Sequence, residues 1–449
     1  MMMGAALSRW TMAYFAVALA CLLGAQAMMV MGLGYPATAV EDPQTLILVH
    51  TVTIGWLSLL MCGALFQFVP VLVAQPLIGA GMVLPALVSL LAGLVSLLAG
   101  FLQLSGDLET GLPFLPVAGI LLPLGFGLAV VVLGRTLLRG RPLPLPARFV
   151  AAGLVCLVAT AAIGVLFALL LSGLDVLGAE VDWVGEVLPL HVTAGFGGWL
   201  TMTAIGVSYR LLPMFMLSPD KERITGKAVL WSSCSALALV LVVVPLERAL
   251  GGPGIAWHAA CLAMLVAVVF YGVDLVFFYR HRKRRNIELN SRSAIGAFAA
   301  LYLSVALLVG LVATGTLGQN SAALIYLVAF GWLSGLGLSQ LYKIVPFLTW
   351  LECYGPVMGR KPTPRVQDLV VEKRDMPWFA LYFAGVLAGT IALLAGMPDL
   401  FRLAALATLC ATVALVVEMV LVRRLFNVSV ASRLPEGTSR PRLFLSSAR

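Results

Sequence analysis

The chain has 449 residues, of which 61% are apolar and 11% charged, with a formal net charge of +9. Such a composition lies far outside that of soluble globular domains and places the chain in a bilayer. The positive charge falls in alternate loops between apolar runs, which reads as membrane topology and not as a nucleic-acid surface.

A spanning helix needs about 20 mostly apolar residues, because hydrocarbon offers no water to the backbone amides. Twelve runs meet that requirement, at roughly 11–35, 45–73, 76–103, 112–136, 147–174, 187–216, 226–247, 255–280, 292–317, 320–350, 376–396 and 400–425. The first lacks a small-residue cleavage site followed by polar sequence, so a retained helix is expected there. The expected fold is an all-α polytopic bundle of twelve transmembrane helices forming one membrane domain over 1–449.

The loops alternate in sign. Basic ones carry Arg135, Arg139, Arg141 and Arg148, then Lys221, Arg223 and Lys227, then Arg280 to Arg285, then Arg360, Lys361 and Arg365. The others are acidic or neutral: Glu41 and Asp42, Asp107 and Glu109, Asp175 to Glu186, and Asp399. An excess of Lys and Arg marks the cytoplasmic side, so both termini are expected there, including a tail from 427 to 449. The run Arg280 to Arg285 reads as a stop signal at the bilayer surface, with anionic lipid contact as its secondary role. The seven cysteines stand singly without a Cys-x-x-Cys pair and read as packing residues.

An internal repeat runs through the second, sixth and tenth apolar runs. The second reads Gly55-Trp56-Leu57-Ser58, then Gly63, Phe66, Gln67 and Pro70; the sixth reads Gly198-Trp199-Leu200-Thr201, then Gly206, Tyr209, Arg210 and Pro213. The tenth reads Gly331-Trp332-Leu333-Ser334, then Ser339, Tyr342, Lys343 and Pro346. Each Trp precedes its Pro by 14 residues, and successive Trp residues lie 143 and 133 apart, four helices each time. Three pseudo-symmetric four-helix units are therefore expected, about 1–146, 147–286 and 287–426. Small residues beside and seven places after each Trp would let helices approach closely. Arg210 and Lys343 would snorkel to the cytoplasmic face, and packing alone also accounts for the motif.

Four histidines are present: His50, His191, His258 and His281. His281 belongs to the basic run. The other three fall in the first turns of the second, sixth and eighth runs, where an ionisable side chain in hydrocarbon is a functional candidate. His50 stands six residues before Trp56, and His191 stands eight before Trp199. The third copy has Leu324 and Tyr326 at those places. Imidazole suits haem iron and copper, so His50, His191 and, with less weight beside its interface position, His258 are metal-ligand candidates. The alternative for each is a core histidine bonded to a carbonyl. Asp274 and Glu418, within spans, would pair with the nearby Arg280 and Arg423. Met28, Met29 and Met31 read as packing residues more than as copper ligands.

Three four-helix units, with histidines near the outer ends of the second helices and a Gly-Trp-x6-Gly-x2-Tyr-x3-Pro run behind them, resemble subunit I of the haem–copper oxidase superfamily. The C-type oxidase and nitric oxide reductase branches are the nearest in kind. The likeness spans the whole chain in architecture and rests in residues on the second, sixth and tenth helices. It implies a haem axial ligand at His50 and an active-site metal ligand at His191, with Trp56 and Trp199 beside the cofactor. This chain departs from the family where the seventh helix has no histidine and the tenth offers only Leu324 and Tyr326. A full binuclear centre is therefore not expected. A b-type haem between the second and sixth helices, with copper as an alternative metal, is what remains.

The leading functional expectation is a haem-binding relative serving electron transfer, nitric oxide handling or assembly of a respiratory complex. If an enzyme, it is an oxidoreductase. Its partners would be membrane lipids and a periplasmic electron donor or respiratory subunit, in the bacterial inner membrane. A transporter or channel for a metal ion, haem or small molecule is a second reading. A cofactor-free structural subunit is a third. No P-loop, dinucleotide fingerprint, nucleophile elbow or zinc-protease motif is present.

Overall fold

The computed structural model describes residues 8–174 and 183–446, and these are helical with no strand. Asp175, Glu180 and Asp182, expected in an acidic loop, lie outside the described residues. The helices are α1 (Thr11–Met31), α2 (Pro43–Val73), α3 (Ala80–Leu104), α4 (Phe114–Arg139), α5 (Leu145–Leu171) and α6 (183–216). They continue with α7 (Ile224–Ala249), α8 (Ile255–Arg280), α9 (Leu289–Ala313), α10 (Leu317–Val357), α11 (Glu372–Leu394) and α12 (Pro398–Arg423). Among the described residues, eleven of these are long and apolar enough to cross a membrane. The twelfth, α6, is just as long but is diluted by Gly195, Gly197, Gly198, Thr193, Thr201, Thr203 and His191.

The helix boundaries follow from local chemistry. Asp42 accepts the amide of Gln44 at 2.8 Å, and Pro43, which lacks an amide proton, opens α2. Gly32 ends α1 at a φ of +78°, a left-handed conformation that suits glycine. Two later helices are capped from a distance. Glu222 accepts the Leu145 amide of α5 at 2.8 Å, and Glu372 accepts the Leu289 amide of α9 at 3.0 Å. A carboxylate at a helix N-terminus satisfies an amide that the helix leaves open and meets the positive end of its dipole.

The described residues pack as two compact units. The first holds 8–67, 101–108 and 288–446, so it contains α1, most of α2 and α9 to α12. Within it α1 lies against α2 and α12, α9 against α10, and α11 against α12. The second holds 68–100, 109–174 and 183–287, where α4 packs on α5, α5 on α6, and α7 on α8.

Small residues set the helix spacing within both. A methyl group on Gly63 of α2 would sit 2.6 Å from the Tyr14 Cβ of α1, and one on Gly206 of α6 would sit 2.5 Å from the Phe149 Cβ of α5. Contacts that close leave no room for any side chain, which is how helices hold together where the lipid is as apolar as they are.

Candidate functional site

The three Gly-Trp stretches share a backbone feature that has no signature in residue spacing. Thr51–Ser58 in α2, Thr193–Met202 in α6 and Leu327–Ser334 in α10 are each π-helical. A π turn carries one extra residue, widens the helix and shifts its faces, and such segments gather at functional sites. Each holds its Trp in its C-terminal half with the indole shielded: Trp56 and Trp332 are 0% exposed and Trp199 is 2% exposed.

His50 immediately precedes the α2 π segment. Its Nδ1 lies 2.8 Å from the Leu46 carbonyl oxygen. A carbonyl can only accept, so Nδ1 carries the proton and Nε2 is left with its lone pair. Thr51 and Thr53 donate to the Ile47 and Val49 carbonyls at 2.8 and 2.9 Å, so the three polar side chains of His50, Thr51 and Thr53 fold back on the turn that leads into the wide segment. The imidazole is half-buried and rests on Phe101, ring centres 5.2 Å apart.

In the second unit, His191 occupies a slot on α5. Its ring lies 5.5 Å from that of Phe167, and its Cε1 is 3.3 Å from where a methyl group on Gly164 would sit. Bare backbone at Gly164 thus admits the edge of the imidazole. His258 is exposed, with Nδ1 3.0 Å from the Gly254 carbonyl oxygen. His281 makes the same contact with Phe277 and is also exposed. His50 belongs to the first unit, and His191 and His258 to the second.

Among the described residues no three His, Cys, Asp or Glu side chains come together as a metal-binding group. Haem iron asks less of the protein, since the porphyrin supplies four nitrogens and one or two axial imidazoles complete the iron. Trp56 is engaged elsewhere. Its Nε1 donates to the Ser334 Oγ of α10 at 2.7 Å, and Ser334 in turn donates to the Ala329 carbonyl five residues back, at 2.6 Å. Its indole therefore locks α2 to α10. Met29 is buried and Met31 exposed, so the methionines at the end of α1 do not share one face.

The expected ion pairs of Asp274 and Glu418 are corrected by the structure. Asp274 pairs with Arg223 at 2.6 Å and not with Arg280, and it also accepts from Tyr209 at 2.8 Å. Glu418 pairs with Arg374 and not with Arg423. Arg423 instead reaches the Glu352 carboxylate at 2.9 Å, both side chains being 3% exposed. The reason is geometric: residues five and six places apart on one helix point to different faces, unlike those three or four apart, so each acid meets a cation brought to its own face by another element. Arg210 pairs with Asp220, and Lys343 with Glu288 at 2.5 Å, so both cations of the repeat end in ion pairs.

The polar clusters at this end of the helices escaped sequence reading. Tyr342 donates to Asp375 at 2.6 Å, Asp375 meets Arg374, and Asn427 donates to Glu418 at 2.7 Å. Their one visible signal was the aromatic ten places after each Trp: Tyr209 and Tyr342 both hydrogen-bond a buried aspartate, whereas Phe66 stacks edge-on against Tyr14 at 5.5 Å. A scan against protein-family models and a search of curated proteins found no match.

Proposed function

We propose that this chain is a twelve-helix protein of the bacterial inner membrane, built from three four-helix repeats with both termini in the cytoplasm, that binds haem b. It would act in electron transfer, nitric oxide handling or the assembly of a respiratory complex, and as an oxidoreductase if it has an activity of its own. The observation that carries the haem reading is the contact of the His50 Nδ1 with the Leu46 carbonyl oxygen, 2.8 Å long. With Nδ1 committed to the Leu46 carbonyl, Nε2 is the coordinating nitrogen, and the carbonyl both orients the ring and strengthens it as a ligand. Thr51 and Thr53 stiffen the same turn, and Phe101 gives the ring an apolar wall. His191, in its slot against Gly164 and Phe167, is the second candidate ligand, and copper the alternative metal. His258 ranks below both because its ring is exposed.

Bound there, haem supplies one-electron chemistry between ferric and ferrous iron. The protein's part is to hold the iron through His50 and to keep the ring orientation fixed. The transporter reading is disfavoured by the placement of charge. The buried acids Asp274, Glu352, Asp375 and Glu418 all lie within about two turns of a helix end, where a midplane substrate would not meet them.

The test is the absorption spectrum of the detergent-purified protein, oxidised and reduced. A Soret band with sharpened bands on reduction is expected, and His50→Ala abolishes it. A colourless wild-type protein, or a band that survives both His50→Ala and His191→Ala, would discard the reading.

A further inference from the structure

The first unit contains a small polar cavity where the N-terminal turns of α9 and α11 and the segment 366–370 meet α10 at Tyr342, Lys343 and Pro346, independent of the proposed haem site. Its walls include Glu288, Asn290, Tyr342, Lys343, Gln367 and Glu372. Most of these are already committed. Lys343 lies 2.5 Å from the Glu288 carboxylate, Gln367 donates to the other Glu288 oxygen at 2.6 Å, Tyr342 donates to Asp375, and Glu372 caps α9.

Asn290 differs. It sits in the first turn of α9, is 1% exposed, and neither its Nδ2 nor its Oδ1 meets a protein partner. An amide sealed from solvent with both its donors and its acceptor unused bears the full desolvation cost of those groups with nothing to offset it. A leucine, branched at the same carbon, would carry no such polar cost at this position. The cavity beside it measures about 10 Å³ in the positions open to a water centre. That is the room taken by one water molecule and too little for an organic ligand.

We infer that this cavity is a binding site for one ordered water molecule, held by the Asn290 carboxamide together with the Lys343 ammonium and the Glu288 carboxylate. The partner chemistry fits water better than a cation or an anion. A cation would face the ammonium of Lys343, and an anion would face the carboxylates of Glu288 and Glu372. Water offers two donors and two acceptors, and so can serve the amide Nδ2 and Oδ1 and both charged groups at once. In this position it fastens the first turn of α9 to the Lys343 turn of α10.

The sign of a stability change tests the inference. Asn290→Leu in the purified full-length protein lowers the Tm if water satisfies the amide, because the substitution strips the water of its partners. It leaves the Tm unchanged or raises it if the amide is dry, since an unsatisfied group is then removed, and that result overturns the site. Asn290→Ser, which keeps a hydroxyl for the water, should fall between wild type and Asn290→Leu. A serine variant no more stable than the leucine variant also overturns it. Should Asn290→Leu fail to fold, a density map of the wild-type protein that resolves waters decides directly. A peak about 2.7–3.2 Å from Nδ2 or Oδ1 is expected; a well-ordered Asn290 with no peak, or a peak at the shorter distances of a metal ion, refutes it.

Discussion

Helices α2 and α10 are built alike and equipped differently. Both carry a π segment around a fully shielded Trp, and the two are joined where Trp56 donates to Ser334. Six residues before the Trp, α2 has His50, its ring turned by its own helix so that one nitrogen stays free to coordinate. At the same place α10 has Tyr326, packed between Phe330 and Phe401, with its hydroxyl against Gly389. At the opposite end the contrast reverses: α2 has Phe66 on Tyr14, while α10 has Tyr342 on Asp375 and Glu352 on Arg423. The scaffold that positions a residue is thus separable from the chemistry placed on it. A wide turn can present an imidazole in one copy and a packing aromatic in another.

The largest loss of stability is expected at the polar end of α10. Arg423→Met strips the guanidinium from a carboxylate that is itself buried, and a loss of about 3–5 kcal/mol is expected. Thermal or denaturant unfolding in detergent measures it, and a loss below 1 kcal/mol would mean that the pair is solvated. Ser334→Ala, at the junction of the two helices, leaves the Trp56 indole N–H buried without its acceptor, for a loss of about 1–3 kcal/mol. Unchanged unfolding would show that Trp56 packs without needing that bond.

Tyr326→Phe sharpens the contrast with His50. The Tyr326 hydroxyl is buried with no hydrogen-bond partner, so its removal should be neutral or stabilising by up to about 1 kcal/mol. It should also leave any Soret absorbance intact, whereas His50→Ala removes it. A variant that loses colour would give Tyr326 a part in the cofactor site.

The smallest effect belongs to the loop after α10. There the Arg365 side chain and backbone hydrogen-bond Asp368 and hold its carboxyl below the usual carboxylate range. A depressed folded value stabilises the protein at every pH above the unfolded value of about 3.9, and the gain is lost as the pH falls through the lower folded value. The Tm difference between wild type and Asp368→Asn should therefore be slight, constant from pH 8 to pH 5, and should shrink only as the pH falls below about 4, through the folded value. A difference that changes between pH 6 and pH 8 would contradict that.

The spans were readable because a 20-residue apolar run has few alternatives in a bilayer. The run expected at 255–280 is α8 at Ile255–Arg280, and that expected at 45–73 is α2 at Pro43–Val73. The place of His50 on α2, ahead of the Gly-Trp pair, was readable from the sequence. Its tautomer was not, because it depends on which ring nitrogen finds the Leu46 carbonyl. The π segments were hidden, since a change of hydrogen-bond register leaves the order of apolar residues untouched. The partners of Asp274 and Glu418 were misread for a related reason. Arg223 lies 51 residues before Asp274, and Arg374 lies 44 before Glu418. Only the folded arrangement brings such distant groups together, whereas Arg280 and Arg423 were near in sequence alone.

The long-distance caps on α5 and α9 bear on how the chain is made. Leu145 waits for Glu222, 77 residues later, and Leu289 waits for Glu372, 83 residues later. As the nascent polypeptide leaves the ribosome, the capped helix and one whole helix after it, α6 for α5 and α10 for α9, are synthesised before the carboxylate that caps it. The opening turn of each helix therefore stays exposed to solvent or to the insertion machinery until the glutamate arrives, and its arrival closes that stretch of the protein like a clasp.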